Sequence, residues 1–399
     1  MSQDITPGTV VPLPVDFREV IRGRIRETIE TVLEEELSLA LSAARSERTE
    51  SRSGYRNGSI VREVVTEYGA RKVRIPRGRV QRDDSSAEWR SSILPRYQRR
   101  TKRVDEAILN CYFGGTNSRR IRKALSPLLG DLNLSKSSIS RLVVKLKSHF
   151  ESWPRDLSNE SYVHVYFDAT NLPVRLARRV VKVPVLVALG VRPDGEKSLV
   201  ALEVARSETG AAWSSVLRSL SNRGLVPPAL VIRDGHVGLR NAVVEWWPAT
   251  KIQRCTLHKW ANLRSKAPKY AHGELKRDYD AIVYADDHKS AIAARAAFIR
   301  KWTTLSKEVV RSLEEAGDDL LTFFGFPESQ WKCLRTTNPI EGINSAFKRR
   351  TKTQGAFTNE DAALILLYGL FATGQINPRK IDGWKDLPDL ETLRLKNVA

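Results

Sequence analysis

The spacing of apolar and polar positions changes several times along the chain, and each change predicts a different element. Residues 16–45 place Ile21, Ile25, Ile29, Val32 and Leu33 at helical spacing. That pattern predicts an amphipathic helix, either a packing helix or a dimer contact. Residues 46–103 lose the helical period. SRSGYRNGS is rich in turn residues. VREVVTEYGARKVRIPRGR then alternates as a short hairpin, with Val61, Val64 and Val65 before the turn and Val73 and Ile75 after it. Residues 104–150 predict three helices: Val104–Phe113, SRRIRKALSPLLG and SKSSISRLVVKLK. In the third, Ser135 is a candidate N-cap. Ile139, Leu142, Val143 and Leu146 form its apolar stripe, and Lys136, Ser138, Arg141 and Lys145 are left outside it. This is a helix-turn-helix pattern whose last helix either enters a major groove or serves as plain scaffold.

From residue 161 the pattern becomes α/β. SYVHVYFDAT reads as a strand ending on Asp168. VPVLVALGV, the turn RPDGEK and SLVALEVA make a hairpin. A helix over Glu208–Asn222 leads to strand ALVIR, helix VGLRNAVVEWW, strand KIQRC and a helix starting near His258. The order βββαβαβα predicts an α/β catalytic core with the mixed sheet of the ribonuclease H-like topology. Residues 262–330 are charged and helical, a helical insertion. The expected organisation is therefore an N-terminal helix (1–45), a basic segment (46–103) and a helix-turn-helix-like region (104–155), together a mostly helical DNA-binding region. The core follows in two parts (156–261 and 331–375) around the insertion, then a tail (376–399).

Composition narrows the partners. The chain has 399 residues, 41% of them hydrophobic, enough for roughly two or three domains. Its net charge of +20 points to a polyanion, with nucleic acid ahead of an anionic membrane surface. Between Arg71 and Arg103 twelve Lys/Arg stand against Asp83, Asp84 and Glu88. With Trp89 and Tyr97 inside it, that stretch suits phosphate contact, the alternative being a solvated linker. Candidate DNA contacts are Tyr55, Arg56, Asn57, Arg77, Arg79, Arg99, Arg100, Lys136, Arg141 and Lys145. No run of 18 apolar residues is present to span a bilayer, and the N-terminus lacks a signal-peptide pattern. Cys111, Cys255 and Cys333 are too few for a disulfide framework and fit a reducing cytoplasm.

The chemistry lies in the acids. In the predicted topology the strands carrying Asp168 and Asp234 are neighbours, so their carboxylates converge. Two such acids repel unless a cation lies between them, and hard oxygen ligands suit Mg²⁺. Singly, each acid is also explained as a loop cap. Gly235 beside Asp234 leaves room for close approach of metal or phosphate. Glu341 in TNPIEGIN is the candidate third acid. Asn338, Pro339 and Glu341 also have capping-box spacing, which would turn Glu341 onto its own helix end. Asn344 and Lys348 share its face, and Lys348, Arg349, Arg350 and Lys352 follow as phosphate contacts. Two cations ~3.5–4 Å apart would clamp the attacking and leaving oxygens of an in-line displacement at phosphorus, first with water, then with a DNA 3′-hydroxyl. Cys255 and His258 form a CxxH. It is half a zinc site without a second half, or a pair that orients the site. His236 is either a phosphate contact or a helix-start residue.

These motifs resemble the Mutator-type transposases of bacterial insertion sequences. The resemblance spans roughly residues 17–375. It is carried by GYRNG, RIPRGR, YQRRTKRVDEAILNCYFGGTNSRRI, YVHVYFDAT, RDGHVGL, QRCTLHKWANL and RTTNPIEGINSAFKRRTKTQGAF. It implies a DDE triad of Asp168, Asp234 and Glu341 and matches the family's Cys-x-x-His with Cys255 and His258. It also implies two Mg²⁺ ions, with Mn²⁺ as a substitute, and double-stranded DNA as partner, both terminal inverted repeats and target. A homodimer or higher assembly on DNA is implied as well. Gly342 departs from the family's basic residue after the glutamate, and a helical glycine costs about 1 kcal/mol relative to alanine. The rival functions are a DNA-binding regulator on an inactive core and a nuclease that cuts without joining.

Overall fold

The computed structural model describes residues 17–82, 85–113, 156–352 and 355–391, with scattered positions between 121 and 153. They belong to two compact units, Met1–Tyr112 with Thr116–Leu142, and Val143–Ala399 with Phe113–Gly115.

The first unit contains α1 (Phe17–Leu41), β1 (Gly54–Thr66), β2 (Gly69–Arg82), β3 (Ser85–Glu88) and α2 (Lys102–Phe113). Its sheet is antiparallel in the order β1-β2-β3. The expectation of a mostly helical region is corrected here, because residues 54–88 are sheet. Val64, Val73 and Ile75 alternate inward and close a small core with Leu33, Leu94 and Ile29. Apolar residues at period two cannot bury one face of a helix. Along α1, Leu33, Leu37 and Leu41 are fully buried, one helical turn apart. Gly78 is a close approach: a Cβ there would lie 2.7 Å from Leu37 Cδ1. The second and third helices expected over 114–150, with Lys136 and Lys145, lie outside the described residues. Arg141 is described, helical and exposed.

The second unit is built on β4 (His164–Leu176), β5 (Arg179–Val191), β6 (Lys197–Val204), β7 (Leu230–Arg233) and β8 (Lys251–Arg254), a mixed sheet in the order β6-β5-β4-β7-β8. β4 pairs antiparallel with β5 and parallel with β7, and β7 pairs parallel with β8. Helices α3 (Gly210–Asn222) and α4 (Val237–Trp246) bury Trp213, Leu217, Leu239 and Val243 against Val165, Phe167 and Val231. They close on each other at two glycines, where a Cβ on Gly238 would lie 2.6 Å from Gly210 Cα. The first strand does not end on Asp168. The ladder to β5 continues unbroken from Asp168↔Val187 to Leu176↔Arg179, so the acid sits within β4. A hydrogen-bonded partner strand carries a polar residue that would otherwise have ended the run.

Helices α5 (Thr256–Lys266), α6 (His272–Val283), α7 (His288–Leu305), α8 (Lys307–Glu315) and α9 (Glu328–Leu334) form the region expected as an insertion. Buried cations tie it to the sheet. Arg233 pairs with Asp319 at 3.0 Å, Arg254 with Glu315 at 2.8 Å and Lys259 with Glu315 at 2.9 Å. Burial opposes ionisation of Glu315, but the Arg254 and Lys259 bonds hold its carboxyl at about 2. Burial pulls Lys259 down to about 8. Helices α10 (Asn338–Thr351) and α11 (Glu360–Ala372) return to the sheet. Among the described residues, no helix is long and apolar enough to cross a membrane.

Candidate active site

Asp168 lies two residues past the last β4–β7 rung, Tyr166↔Ile232, and Asp234 is the residue after β7 ends. Parallel pairing therefore brings both acids to one rim. Helix α10 supplies Glu341 and, one turn on, Asn344. Asn344 Nδ2 donates to Asp168 Oδ2 at 2.7 Å, and the Ala169 amide donates to Oδ1 at 2.9 Å. Burial pushes the Asp168 carboxyl up to about 6. These two bonds resist the rise, and the charges of Asp234 and Glu341 add to it. Asp168 thus lies within electrostatic reach of both Asp234 and Glu341.

Asp234 accepts the His236 amide at 2.9 Å, so one oxygen closes the turn into α4. The loop-cap reading describes that half of the carboxylate. His236 is the α4 N-cap. Its Nδ1 accepts the Leu239 amide at 3.2 Å and its Nε2 donates to Glu208 O at 2.9 Å. Both ring nitrogens serve the fold, which is the helix-start alternative and not a phosphate contact. Gly235 is also reassigned. A Cβ there would lie 2.6 Å from Arg254 Nη2, so the glycine makes room for a buried guanidinium and not for metal or phosphate.

Glu341 does not form a capping box. The N-cap is Thr337, with Asn338 first and Pro339 second in the helix, so Glu341 is the fourth helical residue and reaches the cap through its side chain, not through the cap's backbone amide. Its Oε1 accepts the hydroxyl of that cap residue, Thr337, at 2.5 Å. Thr337 Oγ1 also lies 3.2 Å from Cys255 Sγ and 3.3 Å from His258 Nδ1. His258 Nδ1 is 3.7 Å from Glu341 Oε1, and the Cys255, His258 and Glu341 donor atoms all fall within 4.8 Å of one another. The bond to Cys255 raises His258 to about 9 against the effect of burial, with Glu341 and Asp234 adding to the rise. Burial would raise the Cys255 thiol, but His258 and Thr337 bring it below its ordinary value. The CxxH pair has therefore found Thr337 and Glu341 as partners in place of a second Cys/His pair. Thr337 was missed in the sequence, because a proline ordinarily takes the first helical position and so points to Asn338 as the cap, whereas Pro339 is second in this helix.

The basic candidates divide. Arg56 is committed to the fold: it pairs with Glu34 at 2.9 Å and donates to Ser38 Oγ at 2.6 Å and Ala43 O at 3.2 Å. Arg100 is half-buried on Asp105 at 2.8 Å, and Arg77 pairs with Glu88 at 3.0 Å. These three arginines have acidic partners that spacing along the chain did not reveal. Tyr55, Asn57, Arg79 and Arg99 are exposed in the first unit. In the second, Lys348 and Arg349 are exposed and Arg350 is half-buried on α10.

Fold and site together define an α/β protein whose mixed sheet carries Asp168 and Asp234 at one rim, with a Cys255–His258–Glu341 cluster of candidate metal donors. The family model described as "Transposase, Mutator family" matches residues 13–377, and the chain belongs to this family. It is 31% identical over 394 residues to the transposase for insertion sequence element ISRM5 of Rhizobium meliloti, covering 97% of this chain and 95% of that one. It is 32% identical to the transposase for element IS905 of Lactococcus lactis, covering 79% and 78%. It is 36% identical to that for element IS6120 of Mycolicibacterium smegmatis, covering 67% and 83%. A solved structure, the Drosophila P element transposase strand transfer complex, is similar over 71% of this chain and 82% of that chain. Its TM-score of 0.28 and identity of 12% are too low to carry an argument.

Proposed function

We propose that this transposase binds the terminal inverted repeats of an insertion sequence and cleaves and joins DNA strands at Asp168, Asp234 and Glu341. The observation that carries the reading is Asp168 and Asp234 at one rim, with the Asp168 carboxyl raised to about 6 by burial and, in addition, by the charges of Asp234 and Glu341. Such crowding favours either a shared proton or a bound cation. The donor set fits Mg²⁺: three carboxylates, with Asn344 Oδ1 beside them buried and without a hydrogen-bond partner. Asp168, Asp234 and Glu341 would hold two Mg²⁺ ions, which supply charge neutralisation at a phosphate under attack. The strand order β6-β5-β4-β7-β8 supports a ribonuclease H-like core.

The chain's own residues position that chemistry. Asn344 holds Asp168 by one oxygen, and Thr337 and His258 hold Glu341. Lys348 and Arg349, exposed on the helix that carries Glu341, are placed to take phosphates. The net charge of +20 supports duplex DNA as the partner, and a dimer or higher assembly would bring two element ends together. The test is incubation of duplexes carrying the element's ends with the protein, with and without Mg²⁺ or Mn²⁺, beside Asp234→Asn. Metal-dependent nicks at the ends and joined products, both lost in Asp234→Asn, are expected. Tight binding without nicking would replace this reading with a regulator, and nicks without joined products would reduce it to a nuclease.

A further inference from the structure

The β4–β5 ladder outruns the rest of its sheet. β7 pairs with β4 only over His164–Tyr166, and β6 meets β5 no further out than Val185. Six more rungs, Asn171↔Pro184 to Leu176↔Arg179, continue as a two-stranded arm, about 20 Å long at ~3.3 Å per residue. Ala177 and Arg178, with φ of 45° and 69°, close its tip in the backbone of a primed hairpin turn. The arm is braced. The Arg175 amide donates to Phe357 O at 2.8 Å and the Phe357 amide to Pro173 O at 2.9 Å, just past the end of the helix that carries Glu341. Leu172, Val174 and Val183 are buried along one face of it, as far out as the fourth of the six rungs.

The open face and the tip have a different chemistry. Arg175, Arg178, Arg179 and Lys182 are all exposed, and no acid occurs between Asn171 and Pro184. Among the described residues these four form no ion pair, unlike Arg56, Arg77 and Arg100. Leu176, Val180 and Val181 are 37%, 53% and 39% exposed. The register places Arg175 and Lys182 on one face of the ribbon and Arg179 on the other, with Arg178 at the tip. Arg179's face, which also carries the buried Leu172, Val174 and Val183, is open only at the tip, while Arg175 and Lys182 mark the open face; cations around a narrow tip match a groove walled by phosphates on both sides. A major groove about 12 Å wide admits a two-stranded ribbon, and its thymine methyls accept apolar contacts.

We propose that this arm is a DNA-binding element that enters the major groove of a duplex lying against the strand that carries Asp168. The proposal rests on the DNA-transposing function above. It is tested in the full chain with Arg175→Ala, Arg178→Asn, Arg179→Ala and Lys182→Ala combined, asparagine being used at 178 because it tolerates positive φ. Affinity for an end duplex is measured across a salt series, with melting temperature as the check on folding. Each lost phosphate contact lowers the slope of log K against log salt by about 0.9. The expected result is a slope smaller by roughly 2–4, an affinity about tenfold or more weaker, and lost protection of guanine N7 in the major groove. A second variant, Arg178→Lys with Arg179→Lys, retains the charge and is expected to keep the slope. A quadruple variant that folds and binds with wild-type slope and affinity, while the wild-type chain nicks DNA, overturns the arm alone. Failure of the wild-type chain to bind any duplex overturns the arm and the transposase reading together.

Discussion

Asn344→Ala tests the most specific contact at the site. Asn344 Nδ2 donates at 2.7 Å to Asp168 Oδ2, and burial already pushes that carboxyl up to about 6. A hydrogen bond to a charged group contributes about 1.5–3 kcal/mol. Losing it raises Asp168 further and frees its side chain to turn. A polar group that orients a metal ligand is worth about 10–100-fold in metal affinity, and the two ranges agree, since 1.4 kcal/mol is tenfold. The global fold should suffer less, because truncation also removes a buried Oδ1 that has no hydrogen-bond partner. Mg²⁺ is titrated against end nicking and melting temperature is measured alongside. The half-saturating Mg²⁺ concentration should rise about 10–100-fold, with near wild-type rates recovered at high metal. An unchanged Mg²⁺ requirement in a folded protein would refute the assignment of Asn344 as the group that orients Asp168.

The other predictions probe the surroundings. Thr337→Val keeps the shape but removes the hydroxyl that holds Glu341; nicking should fall about tenfold at saturating metal, and a full-rate variant would show that Glu341 needs no such anchor. Gly235→Ala puts a Cβ 2.6 Å from the buried Arg254 guanidinium; equilibrium unfolding should show about 1–3 kcal/mol of destabilisation, and a neutral result would mean that Arg254 has room to shift. His164 is fully buried beside Gln330, and burial lowers it from 6.5 to about 4. The unfolded chain then takes up a proton that the folded chain refuses. Stability should be intact above pH 6.5 and fall as pH drops towards 4, by up to about 3 kcal/mol. Denaturant melts of wild type and His164→Gln between pH 7 and pH 4.5 check this, and parallel curves would remove His164 as the cause.

Much of the second unit is legible along the chain, since β-strand and helix periods are local properties of neighbouring residues. The run ending YFDAT, the ALVIRD run and the TNPIEGIN helix mark Asp168, Asp234 and Glu341 without any knowledge of contacts. What each neighbour does is a different matter. Gly235 reads as an open approach until Arg254, nineteen positions later in the chain, fills the space above it. His236 reads as either a phosphate contact or a helix-start residue until the structure shows its Nε2 donating to Glu208 O. Arg56 and Arg100 read as free cations, but Glu34 and Asp105 neutralise them. The Glu341 capping box fails by one residue because the helix begins after Thr337, whose hydroxyl lies between Glu341 and the Cys255–His258 pair. Sequence by itself determined most elements of the second unit and which acids are candidates for the site, but not the sheet of the first unit or the continuation of β4 past Asp168. Only the tertiary structure decided which polar groups are spent on the fold and which are left for chemistry, because burial, pairing and pKa depend on distances through space that spacing along the chain does not encode.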